Sequence, residues 1–340
     1  MNSSITTAPD KEMWRDRRVL VTGGAGFIGS ALVWGLNQRG CTDVVIADHA
    51  CRAERAPLHW LRFKEYLPAA SLFEKLKSCA LGTFDCVLHM GACSSTTELD
   101  TEYLRRNNFE FSRDLAAWAL SAGVRFVYAS SAATYGSHPG GDDRDHPAIE
   151  RLRPLNPYGQ SKQEMDLHAC RQGWLDRIVA LKYFNVFGPN ENHKGDMRSM
   201  VNKSFEQVRR GEALQLFKSY RQEYADGEQK RDFLYVKDAV AMTLYLAATP
   251  SANGIFNIGS GQAHSWNELA TALFAALGMM PRIKYIEMPE AIRGQYQYFT
   301  QANIRKLCAA GYDYPFTPLD EAVRDYVVNY LLPRKSLGQP

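Results

Sequence analysis

Tyr158 and Lys162, in NPYGQSKQEMDLHA, stand four residues apart and share a face if that segment is helical. A free phenol titrates near 10 and is a poor base at neutral pH. A nearby ammonium and the cation of an oxidised nicotinamide would both favour the phenolate. Such a phenolate takes the proton of a substrate hydroxyl while a nicotinamide takes the hydride. Ser131, at the end of RFVYASSAATYG, is placed to orient that hydroxyl. A tyrosine and lysine at this spacing are common on surface helices. The trio gains meaning from the elements that must position it.

The first is RRVLVTGGAGFIGSALVWGL. Val19 to Val21 read as a short buried strand. Gly23, Gly26 and Gly29 follow at three-residue spacing, and a helix starts at Ser30. Strand, glycine turn and helix make a dinucleotide fingerprint: a tight turn, backbone close to the pyrophosphate, and helix packed on strand. The phosphates meet free amides at the helix N-terminus. A second strand, CTDVVIADH, ends at Asp48, 19 residues beyond Gly29. A carboxylate there suits the ribose hydroxyls of NAD. His49 is adjacent, and Arg52 and Arg55 would suit the 2′-phosphate of NADP, so the residues leave both cofactors open. FDCVLHMGA and RFVYASSAATYG read as further strands. Ligands sit beyond the carboxyl ends of parallel strands, so Gly91 to Ser94 and Ser130 to Tyr135 should line one crevice. The stretch 98–122 is helical in period and stops at Gly123. These elements predict an α/β fold: a Rossmann-type parallel sheet flanked by helices, with a smaller mixed α/β substrate domain.

Composition agrees with an ordinary globular enzyme. The chain has 340 residues, 45% hydrophobic, and a net charge of +3, which gives no warrant for nucleic-acid binding. Seven cysteines show no metal-ligand spacing and read as buried reduced thiols, so no metal is expected. MNSSITTAPDKEMWRD lacks the apolar core of a secretory signal, and no 18-residue apolar run exists. We therefore expect a cytoplasmic protein with no membrane partner, a loose extension over 1–16 and a frayed tail over 333–340. The dinucleotide-binding domain should cover 17–186, rejoined by about 235–262. The substrate domain should comprise 187–234 and 263–332, including a helix at SWNELATALFAAL that opens on a Ser265–Glu268 capping box.

GGAGFIG together with YGQSK resembles the extended short-chain dehydrogenase/reductase superfamily, whose members oxidise, epimerise or dehydrate nucleotide sugars. Similar dehydratases carry Asp–Glu at the strand end that here reads Ser131 to Tyr135 without a carboxylate. That argues against dehydration. Four further segments are similar to the ADP-L-glycero-D-manno-heptose 6-epimerases: HMGACSSTTELD (89–100), KYFNVFGPNENHKG (182–195), KRDFLYVKD (230–238) and GQYQYFTQAN (294–303). The likeness runs from about 17 to about 332. It implies bound NADP, a ring-like homo-oligomer, an ADP-heptose substrate and a product that feeds the lipopolysaccharide inner core.

The same resemblance assigns residues. Phe27 and Ile28 flank the pyrophosphate turn; Asp48, His49 and Arg52 face the adenosine ribose; Gly91, Ala92, Cys93, Ser94, Asn107 and Val186 complete the cofactor site beside Tyr158 and Lys162. Ser131, Asn185, Lys194, Asp196, Lys203, Phe217, Arg231 and Tyr296 meet the nucleotide sugar, and Lys194 is the second acid/base. From the bare sequence, Lys194 reads as a surface loop lysine and Arg231 as a surface ion pair with Asp232. The chain departs from the family at Asp196, Met90, Gln295 and His49, and in a longer 217–232 segment. Direct deprotonation of an unactivated carbon is hopeless, so the implied route is oxidation at C6″, turning of the sugar end, and hydride return to the other face. Two bases, Tyr158 and Lys194, suit two faces. A hexose 4-epimerase would need only the tyrosine; a non-catalytic dinucleotide-binding protein would need neither.

Overall fold

The computed structural model describes residues 11–49, 56–138, 146–294 and 296–340. Arg52, Arg55, Cys51, Gln295 and residues 1–10 lie outside them. Seven parallel strands form the central sheet: β1 (Val19–Thr22), β2 (Val44–Asp48), β3 (Glu65–Pro68), β4 (Cys86–His89), β5 (Arg125–Ser131), β6 (Val179–Tyr183) and, from far along the chain, β11 (Gly254–Ile258). Their order is β3-β2-β1-β4-β5-β6-β11. The chain reverses its direction of winding between β1 and β4, which opens a crevice beyond their carboxyl ends. The register sets Thr22 beside Ala47 on one side and His89 on the other.

Alternation along each strand feeds two apolar layers. Val19, Val21, Val44, Ile46 and Leu88 face one, with α1 (Phe27–Gln38) packed on it. Leu20, Val45, Val87, Phe126 and Tyr128 face the other. That second layer is covered by a helix over 101–121 (α2) and by α3 (Pro157–Arg171). α2 has the expected span and ends before Gly123, but its middle, Arg105–Glu110, is π-helical. The hydrophobic period did not reveal that segment, because an extra residue inserted in a helix shifts the face without breaking the pattern.

Each of two regions expected to be loose holds one fully buried residue among those described. Trp14 is fully buried in a helical turn, Lys11–Trp14, so the extension is anchored at its inner end. In the tail, Leu337 is fully buried and its amide donates to Asn190 Oδ1 at 3.0 Å. A single leucine in a polar segment was enough to seat it. Among the six described cysteines only Cys41 and Cys86 are buried; Cys79 and Cys308 are exposed, so the reading of buried thiols holds for two.

The remaining strands are short pairs. β7 (Asn185–Phe187) pairs in parallel with β10 (Phe233–Tyr235), β8 (Leu214–Phe217) with β13 (Ile283–Ile286), and β9 (Lys230–Arg231) runs antiparallel to β12 (His264–Ser265). α4 (Met200–Arg209), α5 (Val236–Ala248), α6 (Trp266–Ala276) and α7 (Leu319–Tyr326) complete this half. The capping box of α6 is present as the sequence predicts. No described helix is long and apolar enough to cross a membrane.

Candidate active site

A cavity of ≈ 470 Å³ lies beyond the carboxyl ends of β1, β2 and β4. Gly23, Gly26, Phe27, Ile28, Gly29, Asp48, His49, Gly91, Ala92, Cys93, Ser94, Asn107 and Lys194 all line it. Its size suits a small-molecule site. Gly23 has φ of +66° and stands against Gly91, where a Cβ would come within 2.6 Å of backbone. A Cβ on Gly29 would meet Gly23 O at 2.1 Å. Gly26 caps α1 with no side-chain partner, so the first amides of that helix face the cavity uncapped, a ready anion site. These features fit a dinucleotide pyrophosphate.

Asp48 is buried, and backbone already engages both of its oxygens. Ala25 N donates to Oδ2 at 2.9 Å and His49 N to Oδ1 at 2.7 Å. The carboxylate therefore braces the glycine turn as well as lining the cavity. His89, at the end of β4, lies between Thr22 Oγ1 at 2.5 Å and Ser112 Oγ at 2.8 Å. Burial, with Lys162 adding to it, pushes its imidazole down to about 3, so it is neutral.

Ser131, Tyr158, Lys162 and Val186 are not among the cavity-lining residues; the trio sits just behind, on the next strand and its covering helix. Ser131 lies close enough to the Tyr158 phenol to pull its titration down. Lys162 is buried at one turn from it, and its Nζ donates to Ala129 O at 2.9 Å; Ala129 itself lines the cavity. Within the chain itself, burial governs both groups. Burial raises the Tyr158 phenol, against the lowering pull of Ser131. Burial lowers the Lys162 amine to about 8, with Asp166 and Cys93 pulling it up. In the chain by itself desolvation dominates, and the phenol is neutral.

Lys194 is not a free surface lysine. It sits on the 192–197 turn with a side chain 21% exposed, 3.8 Å from Glu191 Oε2 and 4.8 Å above the Phe27 ring. Burial lowers its amine, against the pull of Glu191. Arg231 is buried, and no ion pair joins it to Asp232 among the described residues. Asp232 turns instead to the amides of Ser260, Gly261 and Ala302. The guanidinium lies 5.1 Å from the Tyr296 ring and 5.9 Å from the Trp266 ring. Phe217 meets Tyr296 edge-on at 6.4 Å, so three of the substrate residues gather here. Asn185 is exposed on β7; Asp196 and Lys203 are exposed, joined by an amine-to-carbonyl bond of 3.3 Å.

Sequence reasoning missed Asn108. It is fully buried in the π segment, accepts from Cys93 N at 2.8 Å, and donates to Cys93 O and Ser161 Oγ. It thus joins the loop after β4 to the helix carrying Tyr158. Its only signal was a doubled Asn in a helical run. Thr22, Tyr103, His193 and Met197 also line the cavity unforeseen. No group of described residues could hold a metal ion.

Residues 19–259 match the model of the NAD dependent epimerase/dehydratase family. The chain belongs to that family. Within it, the chain is 48% identical to the ADP-L-glycero-D-manno-heptose-6-epimerase of Nitratidesulfovibrio vulgaris over 314 residues, 92% of this chain and 97% of that one. The solved Helicobacter pylori ADP-L-glycero-D-manno-heptose-6-epimerase is similar at a TM-score of 0.74 and 28% identity, covering 93% of this chain and 96% of that one. A Thermus thermophilus UDP-glucose 4-epimerase in complex with NAD is similar at 0.71 and 28%, covering 92% and 98%. These two epimerases thus share the fold of this chain over nearly its whole length.

Proposed function

We propose that this enzyme interconverts ADP-D-glycero-D-manno-heptose and ADP-L-glycero-D-manno-heptose at C6″. The near-full-length likeness to the Nitratidesulfovibrio vulgaris enzyme carries the reading. The seating of Lys194 over Phe27, in the same cavity as the glycine turn, supports it. The nicotinamide dinucleotide, when bound, supplies the acceptor and donor of hydride. Its pyrophosphate would lie on the first amides of α1, with Gly91 to Ser94 and Asn107 along its length. We assign NADP, because Asp48 is already engaged by two backbone amides and Arg52 follows.

Tyr158 takes or returns the proton of one C6″ hydroxyl, steadied by Ser131. Lys162 holds positive charge behind it. That charge must be joined by a cationic ligand before the buried phenol releases its proton. Lys194, with a lowered amine, serves the opposite face. Arg231 offers a buried cation to the diphosphate, and Tyr296 and Phe217 supply the apolar wall. We place the protein in the cytoplasm as a homo-oligomer of two domains divided as the sequence suggests.

The test is incubation with ADP-D-glycero-β-D-manno-heptose and detection of the C6″ epimer by NMR. Conversion is expected. Protein carrying NADP that leaves the sugar unchanged would sink the assignment. The Thermus thermophilus likeness favours one second reading, a hexose 4-epimerase. Full activity of Lys194→Ala beside an inactive Tyr158→Phe would select it.

A further inference from the structure

Directly beneath the trio lies a charged cluster for which the chemistry above has no use. Asp166 follows Lys162 by one turn of α3 and is fully buried. Tyr128 Oη donates to its Oδ1 at 2.5 Å; Ser130 Oγ and Lys182 Nζ donate to its Oδ2 at 2.8 and 2.7 Å. Three donors on one carboxyl mark it as a carboxylate. Lys182, 1% exposed on β6, also donates to Thr134 Oγ1 at 2.5 Å. Thr134 Oγ1 in turn donates to Ser131 O at 2.8 Å. The cluster therefore touches the residue before Ser131, the turn after it, and the helix that carries Tyr158 and Lys162.

A buried ion pair is weak evidence for stability, since a well-packed apolar pair of like size is often as good. Its placement has to be explained by something else. We infer that Asp166, held by Lys182, is the positioning residue that keeps Lys162 charged and Ser131 in register with Tyr158. The inference rests on the epimerase reading only for its effect on turnover. Lys162 faces few other titratable groups: His89 from β4, which is neutral, Cys93 from the loop after β4, and Tyr158 on its own helix. From β5 it meets only the Ala129 carbonyl. Of these neighbours Asp166 is the one anion. Burial lowers the Lys162 amine to about 8, so a lost anion would leave it only partly charged at neutral pH.

The test is the double variant Asp166→Asn/Lys182→Met, which removes both charges without stranding either. The Lys162 titration is read from its side-chain Cε resonance in labelled protein, assigned with Lys162→Met, and needs no turnover. We expect that titration to move down, because Asp166 stands one turn from Lys162 on the same helix while Lys182 reaches the carboxylate from β6. The alkaline limb of kcat for ADP-heptose should move with it, with KM little changed. The single variant Lys182→Arg, which keeps the pair, should leave both as in the parent. A folded double variant whose Lys162 titrates as in the parent overturns the inference. If the double variant does not fold, Tyr128→Phe replaces it: stripping one donor leaves the carboxylate less neutralised and should move Lys162 upward, and an unmoved resonance overturns the inference. Failure of the epimerase reading is separate, since it shows as a parent protein that converts no ADP-heptose.

Discussion

Around the glycine turn the wall is made of backbone, while around Arg231 it is made of side chains. At the turn, Gly23 stands against Gly91, Gly29 packs on Gly23 O, and Asp48 ties the amides of Ala25 and His49. Little there can move without breaking the sheet. Around Arg231, four rings and a guanidinium come from β8, β9, α6 and the 296–298 segment. β8 and β9 belong to short two-stranded pairs, and none of these elements is part of the seven-stranded sheet. One region is fixed by covalent geometry and hydrogen bonds. The other owes its ligand-facing wall to ring packing, with hydrogen bonds such as Lys230 N to Tyr298 O in the backbone behind it, which suits a site whose ligand must turn.

The comparison can be broken at the reaction centre first. Tyr158→Phe should lower kcat by roughly 10²–10⁴, the usual worth of a positioned acid or base, while cofactor stays bound by absorbance. Lys194→Ala should cost a similar factor if two faces need two bases. Next comes Gly29→Ala. Its methyl group would lie 2.1 Å from Gly23 O, so the turn must open; we expect protein purified without dinucleotide and several degrees lower in melting temperature. A variant that retains cofactor would show that the backbone wall yields.

Arg231→Met should act on the other region alone. Loss of a charged hydrogen bond is worth about 1.5–3 kcal/mol, so KM for the nucleotide sugar should rise roughly 10- to 100-fold with kcat and cofactor content kept. The smallest effect concerns His89. Its imidazole is held down to about 3, against an ordinary 6.5 when unfolded. The unfolded chain therefore binds the proton first as pH falls. The contribution is whole above 6.5 and is lost between there and 3, at most about 1.4 kcal/mol per pH unit. Urea midpoints measured from pH 7 to 5 should fall, and His89→Asn should flatten that slope.

The two regions also differ in how far their residues could be read in advance. The turn was legible because glycine spacing, strand length and Asp48 are local, and every residue lies within 30 positions of the next. The trio was legible for the same reason. Arg231 was ambiguous: its neighbours Trp266 and Tyr296 come from 35 and 65 residues further on, and only the fold turns Asp232 away. Lys194 was readable only through resemblance, since no local pattern distinguishes a lysine on a turn from one above Phe27. The π segment, the Asn108 clasp and the Asp166–Lys182 pair depend on register between helix and sheet, which alternation and period do not encode.

Asn190 carries a consequence for the order in which this chain can mature. Its Nδ2 donates to Ser30 Oγ, in the helix that leaves the glycine turn, and its Oδ1 receives the amide of Leu337. The sheet, too, lacks its edge strand until β11 is made. The dinucleotide cradle therefore leaves the ribosome about 300 residues before the brace that steadies it. Nascent chains should gain tight cofactor retention only once Leu337 has emerged, and a stop codon ahead of Leu337 should leave a protein that folds its sheet yet leaks its dinucleotide.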